Sequence, residues 1–81
     1  MNSEELRIGR GPHNDVVLTA DTVHFHHAEI HRNRDGAFVI TDLGGKNTVK
    51  VNGNKITHHQ TLQNEDILTI GLVRIQFTIV V

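Results

Sequence analysis

The amino-acid sequence predicts an all-β protein, a two-sheet β-sandwich built from short strands. Short segments alternate between apolar and polar residues, and turn signals separate them about every 8–12 residues. No apolar pattern with helical spacing continues for three turns. In a sandwich of this kind, functional residues usually lie in the loops at one end.

The first half of the chain contains signals for a short strand and a hairpin. A strand is predicted around Arg7–Ile8, just before a glycine. Residues 27–33 and 37–42 both have strand-like composition, and an Asp35-Gly36 turn signal separates them. Such a dipeptide between two strand patterns predicts a β-hairpin.

The second half contains a second hairpin signal and the clearest strand pattern. Asn52-Gly53 lies between the short segments VKV and KIT and predicts a tight turn. Residues 66–70 are predicted to form another strand. Apolar residues from Val73 to Ile79 alternate with residues that are mostly polar, which is typical of a strand with one buried face.

Length and composition indicate a single domain spanning residues 1–81. The net charge of −1 gives no overall field to attract nucleic acid or an anionic membrane. The chain has no cysteine, no signal-peptide pattern and no apolar run long enough to span a membrane, so we expect a cytoplasmic protein. Its apolar end, FTIVV, favours a module of a larger protein.

The segment TVHFHHAEIHR, residues 22–32, holds four of the seven histidines. On a strand, His24 could share a face with His26, and His27 with His31. A zinc site needs three or four converging ligands, and neither a histidine-glutamate zinc motif nor a cysteine is present. We therefore expect no metal and no other cofactor.

Residues that could perform covalent catalysis are scarce. Ser3 is the only serine, and the chain has neither cysteine nor tyrosine. No spacing suggests a nucleophile with a base and an orienting group. We therefore expect a binding protein and not an enzyme.

Two loop segments have the composition of an anion site. They are IGRGPHND, residues 8–15, and DLGGKNTVKVNG, residues 42–53. Arginine supplies a planar set of donors, lysine a point charge and asparagine an amide, while glycines let backbone N–H groups approach a ligand. If the sandwich brings these loops together, they form a small phosphate pocket.

The order and spacing of these segments resemble the forkhead-associated (FHA) domain, a small β-sandwich that binds phosphothreonine peptides. The resemblance covers the chain from about Leu6 to Phe77. It implies a phosphothreonine-containing protein or peptide as partner, and a role in kinase-linked signalling. The matching segments are Gly9-Arg10, Asn14–Leu18, Val23–Ile30, Asp42–Gly53 and Asp66–Gly71.

The resemblance implies four phosphopeptide-binding residues. Arg10 matches the main phosphate ligand, and Asn47 matches the residue that grips the peptide backbone. His24 stands where the family has a serine that donates to phosphate, and Lys46 stands where it has a phosphate-contacting threonine or serine. Imidazole and ammonium groups can both donate to an anion, so we expect a cationic pocket of altered shape.

The resemblance also implies residues that support the loops. His27 matches a family histidine whose ring braces the loops around the peptide site. The other supporting positions are Gly9, Asn14, Asn52 and Gly53.

Three departures from the family pattern support an alternative hypothesis. His24 replaces a serine, Phe25 replaces an arginine, and Thr48 replaces a glycine. An exposed aromatic ring on a loop can contact a protein partner or a second copy of the chain. The alternative is a degenerate FHA domain that binds through Phe25, or through a sheet face, without phosphate.

Overall fold

The computed structural model describes residues 5–44 and 49–80, and that part of the chain contains strands, turns and irregular segments but no helix. It therefore contains no helix that could cross a membrane. The nine strands are β1 (Glu5–Gly9), β2 (Val16–Val17), β3 (Ala28–Arg32), β4 (Phe38–Asp42), β5 (Val49–Val51), β6 (Asn54–Lys55), β7 (His59–Leu62), β8 (Asp66–Ile70) and β9 (Val73–Phe77).

The strands form two sheets, which confirms the predicted sandwich. Sheet A has the order β2-β1-β3-β4-β7, and sheet B has the order β6-β5-β8-β9. All neighbouring strands are antiparallel except β1 and β2, where Ile8 lies beside Val16.

The core lies between the sheets, where alternate residues of each strand point inward. Ile8, Ile40, Leu68 and Ile70 are almost completely buried. Burial of each such side chain contributes about 1.5–3 kcal/mol. The Phe38 and Phe77 rings, from different sheets, meet edge to face with centroids 5.4 Å apart. The other members of the buried cluster are Val23, Ala28, Ile30, Val49, Val51, Ile56 and Leu62.

Both predicted hairpins are present. β3 and β4 pair from Ala28 opposite Asp42 to Arg32 opposite Phe38, with the Asp35-Gly36 turn between them. β5 and β6 pair with Val51 opposite Asn54, so the connecting loop is the dipeptide Asn52-Gly53. Both of its residues have positive φ, 52° and 84°, as a type I′ turn requires.

Two strands are absent from the sequence-based prediction, and one predicted strand is too long. β2 has only two residues, and Leu62 is the only buried residue of edge strand β7, so neither strand has a clear period-two pattern. The last strand ends at Phe77 and does not reach Ile79, whose N–H donates to the Asn64 side chain instead of to a strand.

The register places several loops at one end of the sandwich. Ile8 lies opposite Ala28, and Ala28 lies opposite Asp42, so β1 ends where β3 begins and β4 ends. In the described part of the chain, residues 10–15, 18–27, 43–44, 56–58 and 71–72 meet here, and we call this region the loop end.

Candidate functional site

Arg10 follows β1 at the loop end and is held by three contacts. Its backbone N–H donates to the His24 carbonyl at 2.8 Å, and its side-chain Nε–H donates to the Val23 carbonyl at 3.0 Å. Its guanidinium carbon lies 5.8 Å from the centroid of the Phe25 ring, within the range of a cation–π contact. These contacts restrict the guanidinium before any ligand binds.

The charge of Arg10 is not neutralised within residues 5–44 and 49–80. The ion pair found there joins Arg7 Nη2 and Glu5 Oε1 at 3.7 Å and does not involve Arg10. Arg10 is exposed, and in that part of the chain its Nη groups make no hydrogen bond. An exposed, oriented guanidinium with free Nη donors is suited to a bidentate interaction with phosphate or carboxylate.

Asn14 ties the loop that carries Arg10 to the loop that follows β2. The side chain is only 8% exposed, and its Nδ2 donates at 2.8 Å to the carbonyls of both Gly11 and Phe25. Its buried Oδ1 has no hydrogen-bond partner among the described residues. An amide donor shared between two loops stabilises the position of both.

The two loops also approach each other at Gly9. A Cβ atom at this position would collide with the Phe25 carbonyl oxygen and would lie 2.9 Å from Asn14 Nδ2. The same carbonyl accepts the Gly11 N–H at 3.1 Å. Gly9 therefore has a steric reason to be glycine, because any side chain would push apart the loops around Arg10.

His27 is completely buried and joins three segments of the loop end. Its ring Nδ1 accepts the His24 backbone N–H at 3.0 Å. Its backbone N–H donates to the Ile8 carbonyl, and its backbone carbonyl accepts the Leu43 N–H at 3.1 Å. An imidazole nitrogen that accepts a hydrogen bond carries no proton, so the proton of the neutral ring is on Nε2. His27 therefore holds the backbone of His24 in position.

His24 lies next to Arg10 and is partly exposed. Its carbonyl is bonded to Arg10 and its N–H to His27, so only the imidazole remains available for a ligand. That ring meets the His27 ring edge to face at 5.2 Å. The structure therefore brings together two of the four residues predicted to bind phosphopeptide, Arg10 and His24.

Phe25 packs locally and also remains 50% exposed. One face of its ring lies against Gly11, close enough that a Cβ atom there would be 2.7 Å from Phe25 Cδ2. Its ring also lies near the Arg10 guanidinium and meets the His26 ring edge to face. Phe25 is therefore part of the surface around Arg10.

Lys46 and Asn47, the other two predicted phosphopeptide-binding residues, lie outside the described residues, as does Thr48. The segment before them begins with a turn in which Asp42 Oδ1 accepts the Gly44 N–H at 3.0 Å. Beside that turn is a hollow of about 860 Å³. It is lined by residues 41–44 and 55–58, including Asp42, Lys55 and His58.

The predicted supporting residues Asn52 and Gly53 lie at the opposite end of the sandwich from Arg10. Their turn follows β5 at the end that faces away from the loop end. Asn52 Nδ2 donates to Asp66 Oδ1, and Asn52 Oδ1 accepts the Ile67 N–H, both at 2.9 Å. These two hydrogen bonds support the start of β8 and lie away from the candidate site.

The remaining histidines do not form a cluster. His24 and His26 lie in the loop between β2 and β3, so they do not share the face of a strand. His58 and His59 contact each other edge to face. In residues 5–44 and 49–80, no group of three or more histidine, cysteine, aspartate or glutamate side chains could hold a metal ion.

Three contributions to the site were missed in the sequence analysis. The Val23 carbonyl orients Arg10, and Gly11 accommodates the Phe25 ring. The Leu72 N–H donates to Thr22 Oγ1, which connects the β8–β9 turn to the loop that follows β2. All three depend on a backbone group or on the absence of a side chain. Gly11 and Val23 lie within the glycine-rich and matching segments, which was the only available signal, whereas Thr22 and Leu72 lie outside them.

Comparison with known proteins gives a consistent family match. The model of the FHA domain family matches residues 6–71. The oxoglutarate dehydrogenase inhibitor of Corynebacterium diphtheriae is 36% identical over 69 residues, which cover 85% of this chain and 47% of that protein. The chain thus spans about half the length of this curated relative.

Solved structures give the same result. The FHA domain of a Chlamydia trachomatis protein has a TM-score of 0.82 and 32% identity, covering 91% of this chain and 74% of the other. Mycobacterium tuberculosis EmbR, in complex with a low-affinity phosphopeptide, has a TM-score of 0.87 and 33% identity. That match covers 96% of this chain and 20% of EmbR.

Proposed function

Because this chain belongs to the FHA domain family, we propose that it is an interaction module that binds phosphothreonine-containing peptides at the loop end, around Arg10. Its partner is a protein phosphorylated on threonine, so a protein kinase must act first to supply the ligand. The module acts by binding and performs no chemistry on the peptide.

The observation that carries this proposal is that the Arg10 side chain is held in place by the protein while its Nη donors stay unused within the described residues. Its Nε–H is bonded to the Val23 carbonyl, while its Nη groups make no hydrogen bond within the described residues. A phosphothreonine group carries about −1.5 to −2 charges at pH 7 and three acceptor oxygens. Since the guanidinium is already restricted, little conformational entropy is lost when it binds that anion.

Two further features support the proposal. The imidazole of His24 adjoins Arg10 and provides a second donor where the family pattern has a serine hydroxyl. The hollow of about 860 Å³ lies at the same end and can accommodate a side chain of a bound peptide. EmbR, which shares the fold, is complexed with a phosphopeptide, the general class of ligand proposed here.

The test is calorimetric titration with peptide pairs that differ only in phosphorylation of one threonine, selected from a library with randomised flanking residues. We expect binding of the phosphorylated member only. Arg10→Ala should weaken binding by about tenfold to a hundredfold or more, because each charge-assisted hydrogen bond contributes about 1.5–3 kcal/mol.

Arg34→Ala is the matched control, because Arg34 is exposed in the β3–β4 turn, away from the loop end. It should leave affinity unchanged. His24→Ser keeps both backbone bonds of residue 24 and restores a hydroxyl donor, so it should retain binding. If both members of each pair bind equally, if neither binds, or if Arg10→Ala binds like the unmodified chain, the proposal fails.

A further inference from the structure

The outward surface of sheet B carries a concentration of positive charge. In β5, β8 and β9 the inward residues are buried or partly buried, while Lys50 and Arg74 are exposed and Thr69 is partly exposed. Lys50 lies opposite Thr69, and Thr69 lies opposite Arg74. On its other side, Lys50 lies opposite Lys55 of β6. Cross-strand partners share a face, so these four residues form one row, which we call the basic row.

Within the described residues, no carboxylate forms an ion pair with the basic row or occupies an outward position on its strands. The other outward residues of the paired strands are Ile67 and Gln76, which lie opposite each other. Asp66 lies opposite Phe77 and therefore on the inward face of the sheet. Its carboxylate accepts hydrogen bonds from the Asn52 side chain and the Gln63 N–H. By contrast, the outward face of sheet A carries both positive and negative side chains, and Glu29 lies opposite Arg7 in the strand register.

The basic row has no evident role in stabilising the fold. Like charges directly opposite each other in adjacent strands destabilise a sheet, and Lys50 and Lys55 are such a pair. The ion pair in the described residues, Arg7 with Glu5, involves none of the three cations. The full sequence has nine aspartate and glutamate residues, yet among the described residues none occupies an outward position on these strands. The charge is thus available to a ligand.

Beside the basic row lies a shallow hollow of about 390 Å³ with a largely apolar lining. It is bounded by Ile67, Thr69 and Arg74 together with the turn residues Asn52 and Gly53. Ile67 is one of the exposed large apolar side chains of the protein, and a Cβ atom at Gly53 would meet no other atom within 4 Å. The face therefore combines cations with an apolar depression.

We propose that the basic row of sheet B, together with this hollow, is a second binding surface that takes an acidic segment of a partner protein. Carboxylates of that segment would pair with Lys50, Lys55 and Arg74, while an apolar side chain would enter the hollow beside Ile67. The strands present no aromatic side chain on this face, which disfavours base stacking with single-stranded nucleic acid. Lys55 also lines the hollow at the loop end, whereas Lys50 and Arg74 do not, so these two residues distinguish the surface from the Arg10 site. The surface requires no phosphate.

The experiment measures fluorescence anisotropy of a labelled peptide of ten glutamates as the 81-residue chain is added at low ionic strength. We expect saturable binding that weakens as salt rises towards about 0.15 M, because exposed charges are screened there over about 8 Å. Lys50→Glu and Arg74→Glu should each weaken binding by about tenfold or more.

Arg34→Glu is the matched control, because it makes the same change in net charge at an exposed turn. It should change the affinity by less than about twofold. The acidic peptide carries no phosphate, and Arg74→Glu should bind the phosphothreonine peptide like the unmodified chain, so failure of the phosphothreonine proposal and failure of this one are distinguishable. Circular dichroism melts establish that each variant is folded before affinities are compared.

Three results would overturn the inference. One is the absence of binding at low salt, and another is an equal loss in Arg34→Glu and Lys50→Glu. The third is tighter binding of an oligothymidine of similar charge that is lost in the same Lys50 and Arg74 variants, because that would identify the surface as one for nucleic acid.

Discussion

At the scale of single residues, the loop end depends on side chains that bond to backbone groups. Asn14 donates to two carbonyls, His27 accepts a backbone N–H, and Arg10 donates to the carbonyl of Val23. Backbone carbonyls removed from water without a donor cost free energy, so each of these side chains stabilises a particular loop conformation. The position of the Arg10 guanidinium is therefore a result of several small polar contacts.

Asn14→Asp should test the donor role of the amide. The substitution preserves shape but removes both N–H donors and places a carboxylate against the carbonyl oxygens of Gly11 and Phe25. We expect a loss of about 2–4 kcal/mol in the free energy of unfolding, measured by urea denaturation, and weaker phosphopeptide binding.

Asn33→Asp provides the control, because Asn33 is exposed in the β3–β4 turn and the change in charge is the same. It should alter stability by no more than about 0.5 kcal/mol. Similar decreases in the free energy of unfolding of the two variants would show that the Asn14 amide does not hold the loops together.

At the scale of elements, the turns determine how the strands pair. The Asn52-Gly53 dipeptide allows both central residues to adopt positive φ, which matches the twist of the flanking strands. Asn52 also bonds to Asp66 and to the Ile67 N–H, so the β5–β6 hairpin is attached to the start of β8. One residue therefore fixes the turn and helps to align three strands.

Asn52→Ala should destabilise the protein by about 1–3 kcal/mol, because it removes two hydrogen bonds and places alanine at positive φ. Chemical denaturation measures the loss. Asn54→Ala, at the exposed first residue of β6, should change stability by no more than about 0.5 kcal/mol.

Because Asn52 lies at the end opposite Arg10, phosphopeptide affinity of the folded Asn52→Ala variant should equal that of the unmodified chain. A marked loss of affinity in a variant that is still folded would contradict this separation of the two ends.

At the scale of the whole molecule, stability rests on a thin core. In the described part of the chain, the buried apolar cluster contains eleven residues, mostly valine and isoleucine. A domain of this size has a free energy of unfolding of about 5–15 kcal/mol at most, so one large core side chain contributes a substantial fraction. The loop end itself contributes Val23 and Ile56 to this core.

Leu68→Ala should cost about 2–5 kcal/mol, because Leu68 is almost completely buried in β8 and its removal leaves a cavity. Leu72→Ala makes the same change in the β8–β9 turn, where the side chain is 79% exposed, and should cost no more than about 0.5 kcal/mol. Thermal melts followed by circular dichroism compare the two. Equal decreases in stability in the two variants would refute the assignment of Leu68 to the core.

Much of the architecture was predictable because strands and tight turns leave local patterns. The β3–β4 hairpin and the Asn52-Gly53 turn could be read directly from period-two alternation and turn residues. Edge strand β7 could not, because three of its four residues are exposed and its apolar pattern is lost. The prediction of a strand extending to Ile79 was wrong because alternation continues beyond the last paired residue.

The candidate site was predictable in its residues but not in its contacts. Arg10 and His24 were selected through their positions in the matching segments, and the structure places them side by side. The roles of Lys46 and Asn47 stay predictions. Nothing in the local sequence indicated that the Val23 carbonyl would orient the guanidinium, since the two residues are separated by 13 positions and the acceptor is a backbone atom.

The sequence by itself determined the fold class and the main strands and turns, because periodicity and turn residues are properties of neighbouring positions. The order and spacing of its matching segments indicated the family. Only the tertiary structure decided that the Arg10 guanidinium is held by another loop, and that Lys50, Lys55 and Arg74 share one face. The reason is that these arrangements depend on strand register and loop packing, which bring together residues that are distant along the chain.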